Sequence, residues 1–236
     1  METSRQDSIV DPSILESQHV LIIGIGAVGE LVLETLTRNG IPKITIFDFD
    51  LIEEHNCVTQ GYYPDQIEQP KVEAASEKAL RINPNLVINV VNDHWRPMGQ
   101  ELKIAKEHGE YDAIFSCVDS FATRKLIFKY YKKKERLKRI FDCRISAEVI
   151  RVLSAYDDDS VENYSKSFYK DTSTQGVGCH IPMIKHSAAI GSGLLVQQYF
   201  SHLMDRPMYP DRLLPLEDSC FINLFEESTE NEKDKN

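Results

Sequence analysis

Apolar runs rich in Ile, Val and Phe recur along the chain: HVLIIG at 19–24, KITIFDFD at 43–50, NLVINVV at 85–91, DAIFSCV at 112–118 and KRIFDC at 138–143. Their apolar residues are consecutive rather than alternating, which predicts strands buried on both faces, as in a parallel sheet. Between them, AVGELVLETLTRNG, QPKVEAASEKALRIN, MGQELKIAKEHG and SFATRKLIFKYYKKKERL place apolar residues three to four apart. That is the period of an amphipathic helix, and the first of these segments ends on a helix-stopping glycine, Gly40. The alternation of strand and helix predicts an α/β fold, a doubly wound, mostly parallel Rossmann-like sheet with helices on both faces.

Beyond Cys143 the pattern changes. EVIRVLSAY reads as a further strand, and residues 157–178, DDDSVENYSKSFYKDTSTQGVG, read as a long, polar, irregular loop. Connections of that length tend to be functional or mobile. A helix over IPMIKHSAAIGSGLLVQQYFSHLM follows, with Pro182 near its start, then a Pro-bearing turn region, a short strand CFINLF and the charged tail EESTENEKDKN. The expected organisation is one domain over 1–225 and a disordered tail over 226–236.

Composition narrows the function classes. A chain of 236 residues, 42% hydrophobic, can bury a sizeable core. Its formal net charge of -10 argues against nucleic-acid or membrane-surface binding, since neutralising phosphates takes a surplus of Lys and Arg. The five cysteines, Cys57, Cys117, Cys143, Cys179 and Cys220, include no C-x-x-C pair. Neither a disulfide scaffold nor a zinc knot is expected, and a reducing cytoplasm is the natural setting. No apolar run approaches the roughly 20 residues of a membrane span, and the polar start METSRQDSIVDPS is unlike a signal peptide.

The candidate chemistry begins at Gly24, Gly26 and Gly29, a G-x-G-x-x-G between the first strand and the first long helix. Such a loop combines a tight turn, close backbone approach and unpaired N–H groups at a positive helix end, all suited to phosphate. A glycine turn serving only strand–helix packing is the plainer alternative. Asp48, at the end of the second strand, stands where an acidic residue holds a ribose in dinucleotide enzymes. On these residues alone an NAD-dependent oxidoreductase is served equally well.

Residues further along separate the readings. IFDFDLIEEHNCVTQGYYPDQIEQPKVEAASEKALRINPN and SCVDSFATRK, taken with the glycine loop, resemble the ThiF/MoeB superfamily, the ubiquitin-activating-enzyme-like adenylyltransferases, over roughly residues 19–204. The shared order is glycine loop, D-x-D, a polar N-x-x-R-Q element, Pro-Lys opening a helix, I-N-P, and D-x-x-x-x-R. The resemblance implies that Asp48 holds the ATP ribose, that Asn56, Gln60 and Lys71 reach the phosphates, and that Asp119 holds magnesium. A solvated lysine and a helix N-cap aspartate are the structural alternatives for Lys71 and Asp119. For Arg124 a surface ion pair and a role in shaping the site stand level.

The chain also departs from that pattern. Thr59 stands where the family carries arginine, and loss of a transition-state cation costs about two to three orders of magnitude in rate unless another cation compensates. Arg5 is a candidate for an arginine lent across a homodimer. The family's paired C-x-x-C zinc knot is missing, which makes this a minimal, zinc-free version. Cys179, in TQGVGCHIP before a helix start that lowers a thiol pKa, is a candidate nucleophile for thioester formation, whereas Cys117 and Cys143 read as inert core thiols. His180 and His186 lack a third ligand and read as surface histidines. YYKKKERLKR at 130–139 reads as the exposed basic end of a helix. The resemblance thus implies an ATP- and magnesium-dependent adenylyltransferase acting on the C-terminal carboxylate of a small ubiquitin-like or sulfur-carrier protein. A non-catalytic nucleotide-binding adaptor subunit is the alternative.

Overall fold

The structure, a computed structural model, describes Gln6 and residues 9–96, 100–134, 137–146, 149–170, 185–206, 211–215 and 222–223. Five strands form the parallel part of the sheet: β1 (His19–Ile23), β2 (Lys43–Asp48), β3 (Val87–Asn92), β4 (Ala113–Ser116) and β5 (Arg139–Ser146). Three more, β6 (Val149–Ala155), β7 (Asp211–Pro215) and β8 (Ile222–Asn223), continue it antiparallel from β5. The sheet order is β3-β2-β1-β4-β5-β6-β7-β8. The chain therefore winds outward from β1 in one direction and, from β4, in the other. Ligands of open α/β sheets settle where the order reverses, at the carboxyl ends of the strands.

Because side chains alternate along a strand, each central strand feeds two cores. Val20 and Ile22 of β1 join Phe115 and Phe141 on one face, packed against α2 (Gly29–Arg38), α4 (Lys71–Ile82) and α8 (Lys185–Leu203). Leu21 and Ile23 join Ile114 and Ile140 on the other, covered by α5 (Gln100–His108), α6 (Phe121–Tyr131) and α7 (Asp158–Lys170). Short helices α1 (Pro12–Leu15) and α3 (Asn56–Thr59) complete the set. The basic stretch follows the end of α6, away from the strands' carboxyl ends, with Lys132 over Phe128 and Lys134 over Tyr130.

Two sequence expectations need correction. The loop expected over 157–178 is a helix, α7, across its described part. Its polar composition hides an apolar stripe, Val161, Tyr164 and Phe168, at helical spacing and turned to the core. The turn region expected before the last strand contains β7, whose place is set by pairing with β6 rather than by any periodicity of its own. Residues 171–184 and 224–236, which hold the rest of that loop, Pro182 and the tail, lie outside the described residues, as do Arg5, Cys179, His180 and Cys220. Among the described residues no helix is long and apolar enough to cross a membrane.

Candidate active site

The strand register brings the carboxyl ends of β1, β2 and β4 level with Asp142 of β5. A cleft of about 630 Å³ opens there, lined from β3 to β5 by Asp93, Asp48, Gly24, Asp119 and Cys143, within the usual size range of small-molecule sites. Gly24 has φ +90°, and a Cβ on it would lie 2.6 Å from the Cys117 carbonyl oxygen, so the turn requires glycine. A Cβ on Gly29 would collide with the Gly24 carbonyl, which makes this third glycine a packing device for α2 against the loop. Gly26 differs: nothing stands within 4 Å of its missing Cβ, so its backbone faces the open cleft. Val28, at the N-cap of α2, gives no side-chain acceptor, leaving the helix's leading N–H groups beside that space.

The next wall comes from β2 and the connection to α4. Asp48 Oδ2 accepts from the Ile25 N–H at 2.6 Å, and Oδ1 accepts from the Asp50 N–H at 2.9 Å. Its carboxylate therefore splints the glycine loop to the strand end. Burial pushes its carboxyl above the ordinary range, against the pull of those N–H groups and of Lys71. Lys71, at the start of α4, is buried, and its Nζ donates to Asp50 Oδ2 at 2.8 Å. The solvated-lysine alternative fails. Tyr62 is buried above both elements and its hydroxyl donates to the Ile25 carbonyl at 2.6 Å, tying the loop to the approach of α4. Gln60 also lines the cleft, and its Oε1 is buried with no hydrogen-bond partner among the described residues.

On the β4 side Asp119 is exposed. The cap of α6 is its neighbour Ser120, whose hydroxyl accepts from the Thr123 N–H at 3.3 Å. Asp119 is thus released from capping, and no partner holds its carboxylate among the described residues. Arg124 is no surface residue: it is buried on the cleft wall, with Nε on Asp142 Oδ1 and Nη2 on the Cys143 carbonyl, both at 3.0 Å. At the β2–β3 end Phe49, 52% exposed, stacks on His94 with centroids 3.6 Å apart. Trp95 lies behind, its buried Nε1 without an acceptor among the described residues. A flat ring and an orphan donor suit a heteroaromatic base.

Gly24, Gly26, Asp48, Gln60, Lys71 and Asp119, all expected from the sequence, are therefore brought to one cleft. Gly29 supports it from behind. Asn56 does not line it: it is buried in α3, with Oδ1 accepting from the Glu53 N–H at 2.9 Å, a local turn contact. Thr59 also stands off the cleft wall. Burial raises the Cys117 thiol well above its ordinary range and the Cys143 thiol to about 12, in keeping with inert core thiols. His186 is exposed on α8. Sequence reasoning did not assign Asp50, Tyr62, Trp95 or Asp142. Only Asp50 had a signal, the second acid of D-x-D; the others become visible through contacts distant in sequence.

The sequence and the fold both match known proteins. Residues 11–141 match the ThiF family. Ubiquitin-like modifier-activating enzyme 5 of Caenorhabditis briggsae is 34% identical over 131 residues, covering 52% of this chain and 30% of that enzyme. The same enzyme of Rattus norvegicus is 33% identical over 135 residues, covering 54% and 34%. The match thus spans about a third of those relatives' length. Among solved structures, PaaA superposes with a TM-score of 0.70 at 18% identity, covering 89% of this chain and 73% of its own. E. coli MccB with ATP superposes with a TM-score of 0.69 at 14% identity, covering 89% and 64%. At such identities the two structures speak for the fold.

Proposed function

Because the chain belongs to the ThiF family, we propose that it is an adenylyltransferase whose cleft binds ATP with magnesium and activates the C-terminal carboxylate of a small ubiquitin-like or sulfur-carrier protein. One observation carries the reading: a glycine loop with an open Gly26, a buried Lys71 and an uncommitted Asp119 share a single cleft. A redox dinucleotide gives Lys71 and Asp119 no common purpose; a polyphosphate does. Asp119 offers the hard oxygen that would hold magnesium beside a bound polyphosphate. Once bound, the ion screens charge on the phosphates.

The chain's own groups divide the rest of the work. The N–H groups at the head of α2 and the amide of Gln60 face the phosphates, and the buried Oε1 of Gln60 leaves its NH2 as the end available to them. Lys71 is aimed by Asp50, whose carboxylate fixes its ammonium and partly offsets its charge. Asp48 holds the loop and keeps lone pairs for a ribose hydroxyl. Attack by the incoming carboxylate on the α-phosphate, with the bond to the β-phosphate breaking and pyrophosphate leaving, then needs position and charge screening rather than a general base.

Pyrophosphate exchange with ATP, magnesium and candidate partner proteins tests the reading. Exchange is expected, and Asp119→Ala is expected to abolish it; exchange surviving in that variant removes the metal assignment. Parallel titrations with ATP and NAD decide the nucleotide. Thr59 favours a second reading, a nucleotide-binding adaptor subunit that holds ATP without turning it over. Binding without exchange for any partner establishes that one. Transfer of the acyl group to Cys179, assembly as a homodimer with Arg5 lent across it, and a cytoplasmic setting in keeping with free Cys57, Cys117 and Cys143 belong to the same proposal. Intact-mass analysis of wild type and Cys179→Ser tests the thiol.

A further inference from the structure

Asp142 ends the parallel part of β5 and is wholly buried between α6 and α7. Arg124 Nε donates to its Oδ1 at 3.0 Å; Arg144 Nε at 2.8 Å and the Tyr164 hydroxyl at 3.1 Å donate to its Oδ2. Arg144 is held in turn by the Ser167 hydroxyl at 3.0 Å, and its guanidinium lies 5.2 Å from the ring centres of both Phe121 and Phe168. Burial raises the Asp142 carboxyl and the two guanidiniums more than offset it, so the group sits below the ordinary carboxylate range. Burying three charges seldom stabilises a fold relative to apolar packing. One of the three, Arg124, lines the cleft, and that calls for another reason.

The reason lies in what the cluster does to Arg124. Two of its nitrogens are committed, Nε to Asp142 and Nη2 to the Cys143 carbonyl, while Nη1 has no partner among the described residues. A guanidinium fixed on two sides is a pre-aimed fork, and a fork matches a carboxylate. Arg124 stands at the β4–β5 end of the cleft, beside Cys143 and Ile145 and across the glycine loop from Lys71. That end lies beyond the glycine loop, where phosphate is expected, and it combines one fixed cation with apolar surface. Such a wall fits the end of a peptide chain better than a second phosphate.

We propose that Arg124 receives the terminal carboxylate of the acceptor, and that Asp142, backed by Arg144 and Tyr164 of α7, is the positioning residue that aims it. The inference rests on the adenylation reading and names the residue that receives the carboxylate which that reading invokes. In the low-dielectric wall Arg124 attracts that carboxylate strongly, drawing it to the side of the cleft facing the α-phosphate.

The test uses the full chain labelled with 15N and saturated with magnesium and a non-hydrolysable ATP analogue. It is titrated with N-acetylglycylglycine and, separately, with the C-terminal amide of the same dipeptide, reading arginine Nε–H resonances. The acid is expected to shift the Arg124 signal and the amide to leave it in place. Arg124→Lys keeps the charge and loses the fork, so it should weaken the acid about tenfold while the nucleotide analogue binds within about threefold of wild type. Asp142→Asn should follow Arg124→Lys. If Asp142→Asn does not fold, Arg124→Lys and the acid–amide comparison on wild type still decide. Equal response to acid and amide, or unchanged acid affinity in Arg124→Lys, overturns this inference and leaves adenylation standing. Failure of wild type to bind the ATP analogue overturns both.

Discussion

Two carboxylates lie on opposite faces of the sheet, each bonded to two cations, and they are built differently. Glu30, 3% exposed in the first turn of α2, takes Lys78 at 3.2 Å on Oε2 and Lys185 at 2.6 Å on Oε1. The two lysine side chains remain 33% and 37% exposed, and Lys78 is shared with Glu34 at 2.6 Å. Asp142 is bonded instead by two arginines whose side chains are 7% and 9% exposed. An ammonium is strongly hydrated and stays at the water line, whereas a guanidinium sheds water readily and stacks on rings. The lysine cluster ties α2, α4 and α8 together at a wet boundary beside a second cavity of about 370 Å³. The arginine cluster is dry and meets the cleft through Arg124. Dry charge is rigid, and the difference places the rigid cluster where a ligand must be aimed.

The largest expected effect breaks that contrast at Asp142. Asp142→Ala leaves two guanidiniums buried without their carboxylate, a change of the kind that costs about 3–5 kcal/mol. Denaturant unfolding of the variant measures it. Water can reach both lysines of the Glu30 cluster, so Glu30→Ala should cost clearly less. Equal losses would mean that the solvent access of the cations is irrelevant and the contrast false.

How much of this was legible beforehand follows the same division between local and distant causes. The central strands could be read because burial on both faces demands consecutive apolar residues, and β3 over Val87–Asn92 differs from its expected span of 85–91 by two residues at the start and one at the end. Gly24, Gly26, Asp48, Lys71 and Asp119 could be read because each sits at a strand end or helix start that a local motif marks. Asp142 and Arg144 could not: in KRIFDCRIS they look like charges ending a strand, and only the docking of α6 and α7 makes them a cluster. The polar composition of α7 concealed its helix, and the loss of that helix from the reading concealed Tyr164 as well. Asn56 stands apart, a motif position whose Oδ1 is taken by the Glu53 N–H in a local turn.

Acid titration sharpens the comparison once a third buried group is accounted for. His19 is buried at the amino end of β1, with Nδ1 2.9 Å from the Gly109 carbonyl and Nε2 2.9 Å from Thr45 Oγ1. Burial lowers its pKa from 6.5 to about 4; the Gly109 contact opposes the shift, and Lys43 and His108 add to it. The unfolded chain therefore takes up the proton first, and stability falls as pH drops from 6.5 to 4 and levels off below. The His19 share of the loss should reach about 2–3 kcal/mol, and His19→Gln should remove most of the slope, leaving the smaller share of His202, whose pKa burial also lowers. The Asp142 cluster contributes nothing in that window: its carboxyl is depressed, so its stabilisation is lost only as pH falls further, below the unfolded carboxylate range near 3.8. A slope between pH 6.5 and 4 that survives undiminished in His19→Gln assigns the loss elsewhere.

The smaller effects test the wet cluster itself. Glu30→Gln removes the charge but keeps a hydrogen-bond acceptor, Lys78 retains Glu34, and Lys185 can turn to water, so a loss of about 1–2 kcal/mol is expected. Gly61 guards the same place from the other side, since a Cβ on it would run into the Glu30 carboxylate. Gly61→Ala in the Glu30→Gln background should therefore cost nearly as much as in wild type, because the obstacle is volume and not charge. The smallest effect is expected from Lys185→Met. It deletes one ammonium that is 37% exposed and leaves Glu30 bonded to Lys78, which places the loss below about 1 kcal/mol and makes it shrink further in high salt. A Lys185→Met variant that loses as much as Asp142→Ala, with no dependence on salt, would show that Lys185 acts as a dry charge despite its exposure. Exposure of the cation would then no longer be what separates the two clusters.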